Sequence, residues 1–365
     1  MKFSINQSEL QNALAVVLKG IATRSTLPIL SGIYLDAHGD ALTLQATDLE
    51  VSIQYTVAAL VEDEGKAVVP GKLFSEIVKN LPDAAVHVDV EENAVITCDT
   101  ASFSIKTLDA EDFPGFPHVD VQQEISIPFA QFASMVKRVA RVVSRDESRA
   151  ILTGVLITVE GSRLKMVATD SYRLAITEAD LPEASADDFQ AVIAGSFLQE
   201  IASLPRTDDP VKLALAENQI VVTYHETVFI NRRIEGNFPN YRQLLPESHT
   251  TRVSMEVDHL VSGVKRTSLL GQSSSPVKFD INVASQTVLL SAMTQDVGSA
   301  QETLSCAGDG EDVQIAFNYA YVLDGLASVG TDRVFLEVQS SLKPGIFRAE
   351  EGEDFLYLVM PVRIS

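Results

Sequence analysis

The chain has 365 residues, 46% hydrophobic and 21% charged, which suggests two or three domains, each able to build its own core. Its formal net charge of −22 argues against nucleic acid for the surface taken whole, because phosphate binding draws on Lys and Arg. No stretch approaches the roughly 18 apolar residues of a membrane span, "MKFSINQSEL" has no apolar run behind its Lys, and Cys98 and Cys306 are too few for a disulfide framework. A reduced, cytoplasmic protein with no membrane partner is expected.

In chain order, "MKFSI" alternates as a strand. Ser8 is expected to open a helix with Gln11 placed for a capping box, and Leu10, Ala13, Leu14, Val17, Leu18 and Ile21 share one face of it. The strands "GIYLDA", "ALTLQAT" and "EVSIQYTV" follow, then a strand and a second helix in "VVPGKLFSEIVKNLP". "VHVDV", "NAVITCD" and "SFSIKTL" close this unit. The same order returns twice. "EISI" leads into the helix "PFAQFASMVKRVARVVSRD", with Pro128 as its first residue. "GVLITVE", "RLKMVATD", "RLAITEA", "AVIAGSFLQEIASLP", "VKLALA", "QIVVTYH" and "VFINRRI" complete the second copy. The third runs from "RVSMEVDHLVSGVKRTSLL" through "VKFDIN", "TVLLSAM", "VQIAFNYAYVLDGLASVG", "VFLEV" and "GIFRAE" to "FLYLVMP".

The repeat sets the expected domains at 1–121, 122–248 and 249–365. Phe74, Phe197 and Tyr321 are expected at one place in the second helix of each copy, and Pro114, Pro239 and Pro361 at its close. Ala46-Thr47-Asp48 recurs as Ala168-Thr169-Asp170, where both aspartates read as turn formers rather than acids.

Six helices are expected, over 8–24, 71–80, 128–149, 196–206, 257–271 and 318–329. They hold 12 basic and seven acidic residues, a net of +5, which leaves −27 for the rest. In the longest, Phe132, Met135, Val136, Val139 and Val143 form an apolar stripe, with Lys137, Arg138, Arg141, Arg145 and Arg149 largely opposite. A solvated face is the plain reading. The single sign of the run, on an acidic protein, favours a face that attracts phosphate.

The three-copy plan, with "MKFSINQSEL", "RSTLPILSGIYL", "ATDLEVSI", "VATDSYRLAI", "NFPNYRQLLP", "FNYAYVLDGL" and "YLVMPVRIS", resembles the β-subunit family of bacterial DNA polymerase III, the sliding clamps, over the whole chain. The resemblance implies an α+β clamp fold: three repeated domains, each with two helices packed on antiparallel sheets, and a head-to-tail homodimeric ring around double-stranded DNA. Twelve lining helices at roughly 9.5 Å spacing trace a circle of about 36 Å across. Subtracting about 10 Å of helix thickness leaves about 26 Å for the duplex. DNA contacts would be phosphate-directed and sequence-blind.

By matching position, Arg24, Lys72, Lys79, Arg145 and Arg149 are DNA-facing candidates, and Arg138 and Arg141 join them by helical face. Ala150 and Ile151 stand where some relatives carry aromatic residues, and Ala194 to Ser196 replaces another basic position. The family's dimer contact maps to Leu73, Ile77, Phe103, Ile105, Leu269 and Leu270, with core burial the alternative for each. The resemblance also implies a groove between the second and third domains for the DNA polymerase III α subunit, the clamp loader and other proteins with clamp-binding motifs. By position the groove is Leu152, Thr169, Tyr172, Arg173, Leu174, Pro239, Leu244, Val359, Met360, Pro361 and Val362. Small apolar anchors with an adaptable Met suit several related peptides. Ser171, Tyr172, Gln243 and Ser365 depart from common family choices.

No catalytic constellation is present: there is no Walker A loop, Gly-x-Ser-x-Gly, His-Glu-x-x-His or Cys-x-x-Cys. "GDGED" lacks the spacing of a calcium loop and reads as a turn. No cofactor, metal or catalytic residue is expected, and the resemblance implies a processivity subunit without catalysis.

Overall fold

The computed structural model describes residues 1–22, 26–121, 123–185, 188–270, 276–294, 297–350 and 355–363. Six α-helices fall in these segments: α1 Gln7–Val17, α2 Gly71–Asn80, α3 Phe129–Val139, α4 Gly195–Ala202, α5 Val257–Ser268 and α6 Tyr319–Val329. The chain divides into two units, Met1–Ala130 with Ser203–Arg233, and Gln131–Ala202 with Ile234–Ser365.

The first unit holds two antiparallel sheets. One joins Leu60–Asp63, Lys2–Asn6, Ala85–Val90, Asn93–Cys98 and Ala101–Lys106, in that order. The other runs Gln123–Pro128, Pro210–Leu215, Gln219–Tyr224, Thr227–Arg232, Val51–Ala58, Ala41–Thr47, Gly32–His38 and Gly65–Pro70. Its middle ladder pairs Thr227 with Tyr55 and Asn231 with Val51, so strands of the first and second copies share one sheet. The sequence repeat gives no sign of this sharing. It arises because each copy ends in a half-sheet with an open edge, and an open edge is satisfied by another strand.

The second unit repeats the device. Phe189–Ala194, Gly154–Glu160, Arg163–Thr169 and Arg173–Asp180 continue into Phe355–Val359, Gly345–Ala349, Arg333–Val338, Thr251–Glu256 and Ala307–Gly310. The joining ladder sets Arg173 opposite Val359 and Thr177 opposite Phe355. Around it Leu156, Val167, Leu174, Ile176, Val192, Tyr241, Ile346, Leu356 and Leu358 form one buried cluster. A four-stranded sheet, Gly298–Ser305, Thr287–Thr294, Pro276–Asn282 and Val313–Asn318, completes the unit.

Several expectations are corrected. The helix expected over 128–149 ends at Val139. A 3-10 turn follows over Ala140–Val142, Val143 is extended, and Arg149 lies inside a further 3-10 segment with non-helical φ −112° and ψ 60°. The β-branched Val142 and Val143 weaken the helix. Ser144 Oγ then accepts the Asp146 amide at 3.1 Å and Asp146 Oδ1 the Ser148 amide at 3.1 Å, a local alternative to helical bonding. Arg145 and Arg149 therefore leave the helical stripe. The α-helices as observed hold six basic and five acidic residues, a net of +1 rather than +5.

Pro128 ends a strand instead of opening α3. No capping box forms at α1: Gln7 is its first residue, is buried, and donates its side-chain amide to Val78 O in α2 at 2.7 Å. The edge strands Leu60–Asp63, Gly298–Ser305 and Ala307–Gly310 were not expected, because their outward residues carry no apolar alternation. The helix landmark is off by one. Pro70, Ala194 and Asn318 each precede a second helix, so Phe74 matches Leu198 and Val322, while Leu73 matches Phe197 and Tyr321. Pro361 follows its strand by two residues, whereas Pro114 and Pro239 follow theirs by eight and seven, so it is not their equivalent.

Candidate partner-binding site

The hairpin between Arg163–Thr169 and Arg173–Asp180 is built by its own side chains. Asp170 Oδ1 accepts the amides of Tyr172 (2.9 Å) and Arg173 (3.0 Å). Thr169 Oγ1 donates to Arg173 O at 2.7 Å and accepts the Ser171 amide at 3.2 Å. Ser171 sits at φ +80°, a left-handed position. This turn aims Arg173 inward and Tyr172 outward.

Arg173 is the centre of the site, with a side chain only 10% exposed. Its Nε donates to Asp170 Oδ2 at 2.9 Å, Nη1 to Asp324 of α6 and to Tyr357 Oη (3.3 Å), and Nη2 to Arg141 O (3.3 Å). The guanidinium also lies over the Tyr321 ring, 4.4 Å from its centroid. Burial works against its charge, yet Tyr357, Asp324 and Asp170 more than offset this, and its pKa is raised. Burial raises the pKa of Tyr357 as well, so its hydroxyl stays protonated and donates to Tyr321 O at 2.8 Å. A Cβ at Gly325 would fall 2.4 Å from the Tyr357 ring, so glycine lets α6 lie directly on it.

Tyr172 is 58% exposed and stacks on Tyr321 with centroids 6.4 Å apart. Met360 N donates to Tyr172 O at 2.9 Å, which carries the ladder one step past Val359. Thr169, Leu174 and Val359 are buried at this junction, and Met360 is exposed at its rim. Pro239 and Leu244 are exposed on either side of Tyr241, which joins the same buried cluster as Leu174. Leu152 is buried in the 3-10 segment, where its carbonyl accepts the Ser144 amide. Pro361 is half-buried, and Val362 lines a different cavity of about 820 Å³, held there by its amide on Ala316 O.

A cleft of about 980 Å³ opens beside Tyr172 and Arg173. Arg141, Arg145 and Arg149 line it, but so do Asp146, Glu147, Asp170 and Asp324. Arg149 is tied into the hairpin: it donates to Asp146 Oδ2 (3.3 Å), Ser171 Oγ (3.1 Å) and Ser144 Oγ (3.4 Å). Sequence reasoning missed Asp324, Tyr321 and Tyr357. Their only signal was polar character on otherwise apolar elements, Tyr357 within "FLYLV" and Asp324 within "VLDGL".

Lys72 and Lys79 are exposed on α2, two turns apart, with Glu76 between them. Arg138 packs its guanidinium over the Phe355 ring, 5.6 Å from the centroid, and Arg141 Nε donates to Lys137 O at 3.2 Å. Arg24 lies outside the described residues, as does Ser365. Of the dimer candidates, Leu73 (47%), Phe103 (40%) and Leu269 (79%) are exposed and Leu270 is half-buried, whereas Ile77 and Ile105 belong to the core. Among the described residues no group of His, Cys, Asp or Glu could hold a metal ion, and no helix is long and apolar enough to cross a membrane.

Repeated clamp domains joined through shared antiparallel sheets are the architecture of a DNA polymerase sliding clamp. Models of the N-terminal, central and C-terminal domains of the DNA polymerase III beta subunit match residues 1–117, 126–240 and 242–363. The beta sliding clamp of Synechocystis sp. is 31% identical over 390 residues, covering 100% of both chains. The crystal structure of the Bacillus subtilis sliding clamp is similar with a TM-score of 0.96 at 29% identity, and that of the Pseudomonas aeruginosa clamp bound to griselimycin with 0.94 at 28%, each covering both chains fully. The chain belongs to the DNA polymerase III β-subunit family.

Proposed function

We propose that this chain is the processivity clamp of a DNA polymerase III. Two copies close head to tail around duplex DNA in the cytoplasm and tether the polymerase without catalysis of their own. The reading rests chiefly on the match to all three clamp domains along the chain. It keeps the domain limits 1–121, 122–248 and 249–365. Lys72, Lys79, Arg138, Arg141, Arg145 and Arg149 are its DNA-facing groups, with contacts confined to phosphates. Clamp-binding segments of the polymerase α subunit, the loader and other partners dock where the 169–173 turn meets Val359 to Val362, with Leu152, Leu174, Pro239 and Leu244 as further walls. The exposed Tyr172 ring stacked on Tyr321, with the exposed Met360 joined by its amide to Tyr172 O, supports this, since an apolar surface with a fixed Arg and two Asp nearby orients a peptide.

Retention on nicked circular DNA tests the whole reading. Protein loaded by its cognate loader and ATP stays on circles in high salt and leaves once the DNA is linearised. Salt-sensitive binding that ignores topology would sink it. Titration of a clamp-motif peptide tests the groove: Tyr172→Ala weakens binding by about tenfold, and an unchanged affinity removes Tyr172 from the site.

A further inference from the structure

A cavity of about 500 Å³ opens in the second unit, on the sheet face that carries the buried cluster around Leu174. It shares no lining residue with the cleft beside Tyr172 or with the proposed groove. Its floor lies on the cross-strand row Leu156–Val167–Ile176–Leu356–Arg348, of which Ile176, Leu356 and Arg348 line it. Four members of that row are apolar and the fifth is a guanidinium. The segment 241–245 closes over the cluster, with Tyr241 and the half-buried Leu245 turned to it and Arg242 left exposed. Lys165 and Glu178, opposite each other in their ladder, border the cavity as well.

The charge of this cavity runs against that of the chain. Lys165, Arg242 and Arg348 line it with Glu178 as the one carboxylate, on a sequence of 28 basic and 50 acidic residues. Glu178 is already engaged through both oxygens, by Lys165 Nζ at 2.8 Å and Arg163 Nε at 3.0 Å. Arg348 donates Nε to Glu337 at 3.0 Å, and its Nη atoms make no hydrogen bond among the described residues. Arg242 pairs with Glu160 at 3.7 Å, with the two side chains 67% and 68% exposed, an ion pair of little strength. Two guanidinium forks therefore stand beside an apolar floor.

We infer that this cavity docks an acidic peptide segment of a partner protein, one with carboxylates on either side of a branched apolar side chain. The apolar side chain covers Ile176 and Leu356, and the carboxylates take forked bonds from Arg348 and Arg242. The acidic body repels such a segment elsewhere, so the field directs it to the one place where cations gather over an apolar floor. Docking here leaves the Tyr172 groove open, and one copy of the chain holds two segments at once.

Fluorescence anisotropy of a dye-labelled peptide, Glu-Glu-Leu-Leu-Glu-Glu, on the full chain tests this. Saturable binding is expected, and Glu-Glu-Ser-Ser-Glu-Glu binds at least about fivefold more weakly because it cannot cover the floor. Arg348→Gln and Arg242→Ala each weaken the leucine peptide by about fivefold or more. Arg242 is exposed, so its variant reports on the site even where Arg348→Gln disturbs Glu337. Tyr172→Ala leaves this affinity unchanged. No saturable binding, equal binding of the serine peptide, or loss on Tyr172→Ala with both arginine variants unaffected overturns the site. Glu351, Glu353 and Asp354 lie outside the described residues and are replaced together by Ser as a last variant. An affinity within about threefold of the unmodified chain upholds a partner segment, and a rise above about tenfold gives the cavity to this chain's own acids and overturns it.

Discussion

The turns at Thr47–Val51 and Thr169–Arg173 are the same turn with different tasks. Asp48 Oδ1 accepts the amides of Glu50 (3.0 Å) and Val51 (2.7 Å), as Asp170 does for Tyr172 and Arg173 one copy later. Thr47 Oγ1 donates to Val51 O and accepts the Leu49 amide, as Thr169 does at its own turn. Leu49 at φ +79° matches Ser171 at +80°. The difference lies in the last residue. Val51 ends the first turn with an apolar side chain, whereas Arg173 ends the second with a guanidinium that binds α6, Tyr357 and the turn's own aspartate. The backbone device is architecture, and one side chain turns it into a site.

Replacing Arg173 should separate the turns most. Arg173→Ala leaves Asp170, Asp324 and Tyr357 without their shared donor and costs about 3 kcal/mol, because one member of a buried charge cluster is removed. Val51→Ala costs about 1 kcal/mol of apolar contact. Urea midpoints of the two variants read the difference, and equal shifts would mean the cluster is not a structural centre. Arg173→Lys should recover little, since an ammonium cannot match the forked contacts.

The aspartates come next. Asp48→Ala and Asp170→Ala each strand two backbone amides at about 1 kcal/mol, and Asp170→Ala loses a further 1 kcal/mol or so from its bond to Arg173. Identical midpoints would show that Asp170 serves the turn alone. The smallest effect is at the left-handed residue. Leu49→Gly relieves the positive φ and raises stability by about 0.5 kcal/mol. Ser171→Gly gains the same relief but loses its hydroxyl's bond from Arg149, and ends near neutral. A thermal scan in which Ser171→Gly is the more stabilising would break that reading.

Much of this was legible in the sequence. Period-2 alternation placed nearly every strand that has one covered face, and the repeated Ala-Thr-Asp announced a repeated unit. The legible part of the site was the turn and its two outward neighbours. The charge pattern misled for a physical reason. Helical spacing put Arg145 and Arg149 on one stripe with Arg138, but the helix ends at Val139, and Ser144 and Asp146 hold the chain beyond it in a local turn. The stripe then became one wall of a cleft that also carries four acids.

What the sequence determined by itself was the repeated unit, most of its helices and strands, and the two Ala-Thr-Asp turns, because these depend on neighbours a few residues apart. Tertiary structure alone decided that successive copies share sheets and that Arg173 meets Asp324 across 151 residues of chain. Those outcomes follow from pairing between distant strands, where main-chain hydrogen bonding is indifferent to side-chain identity and leaves almost no trace in the residues themselves.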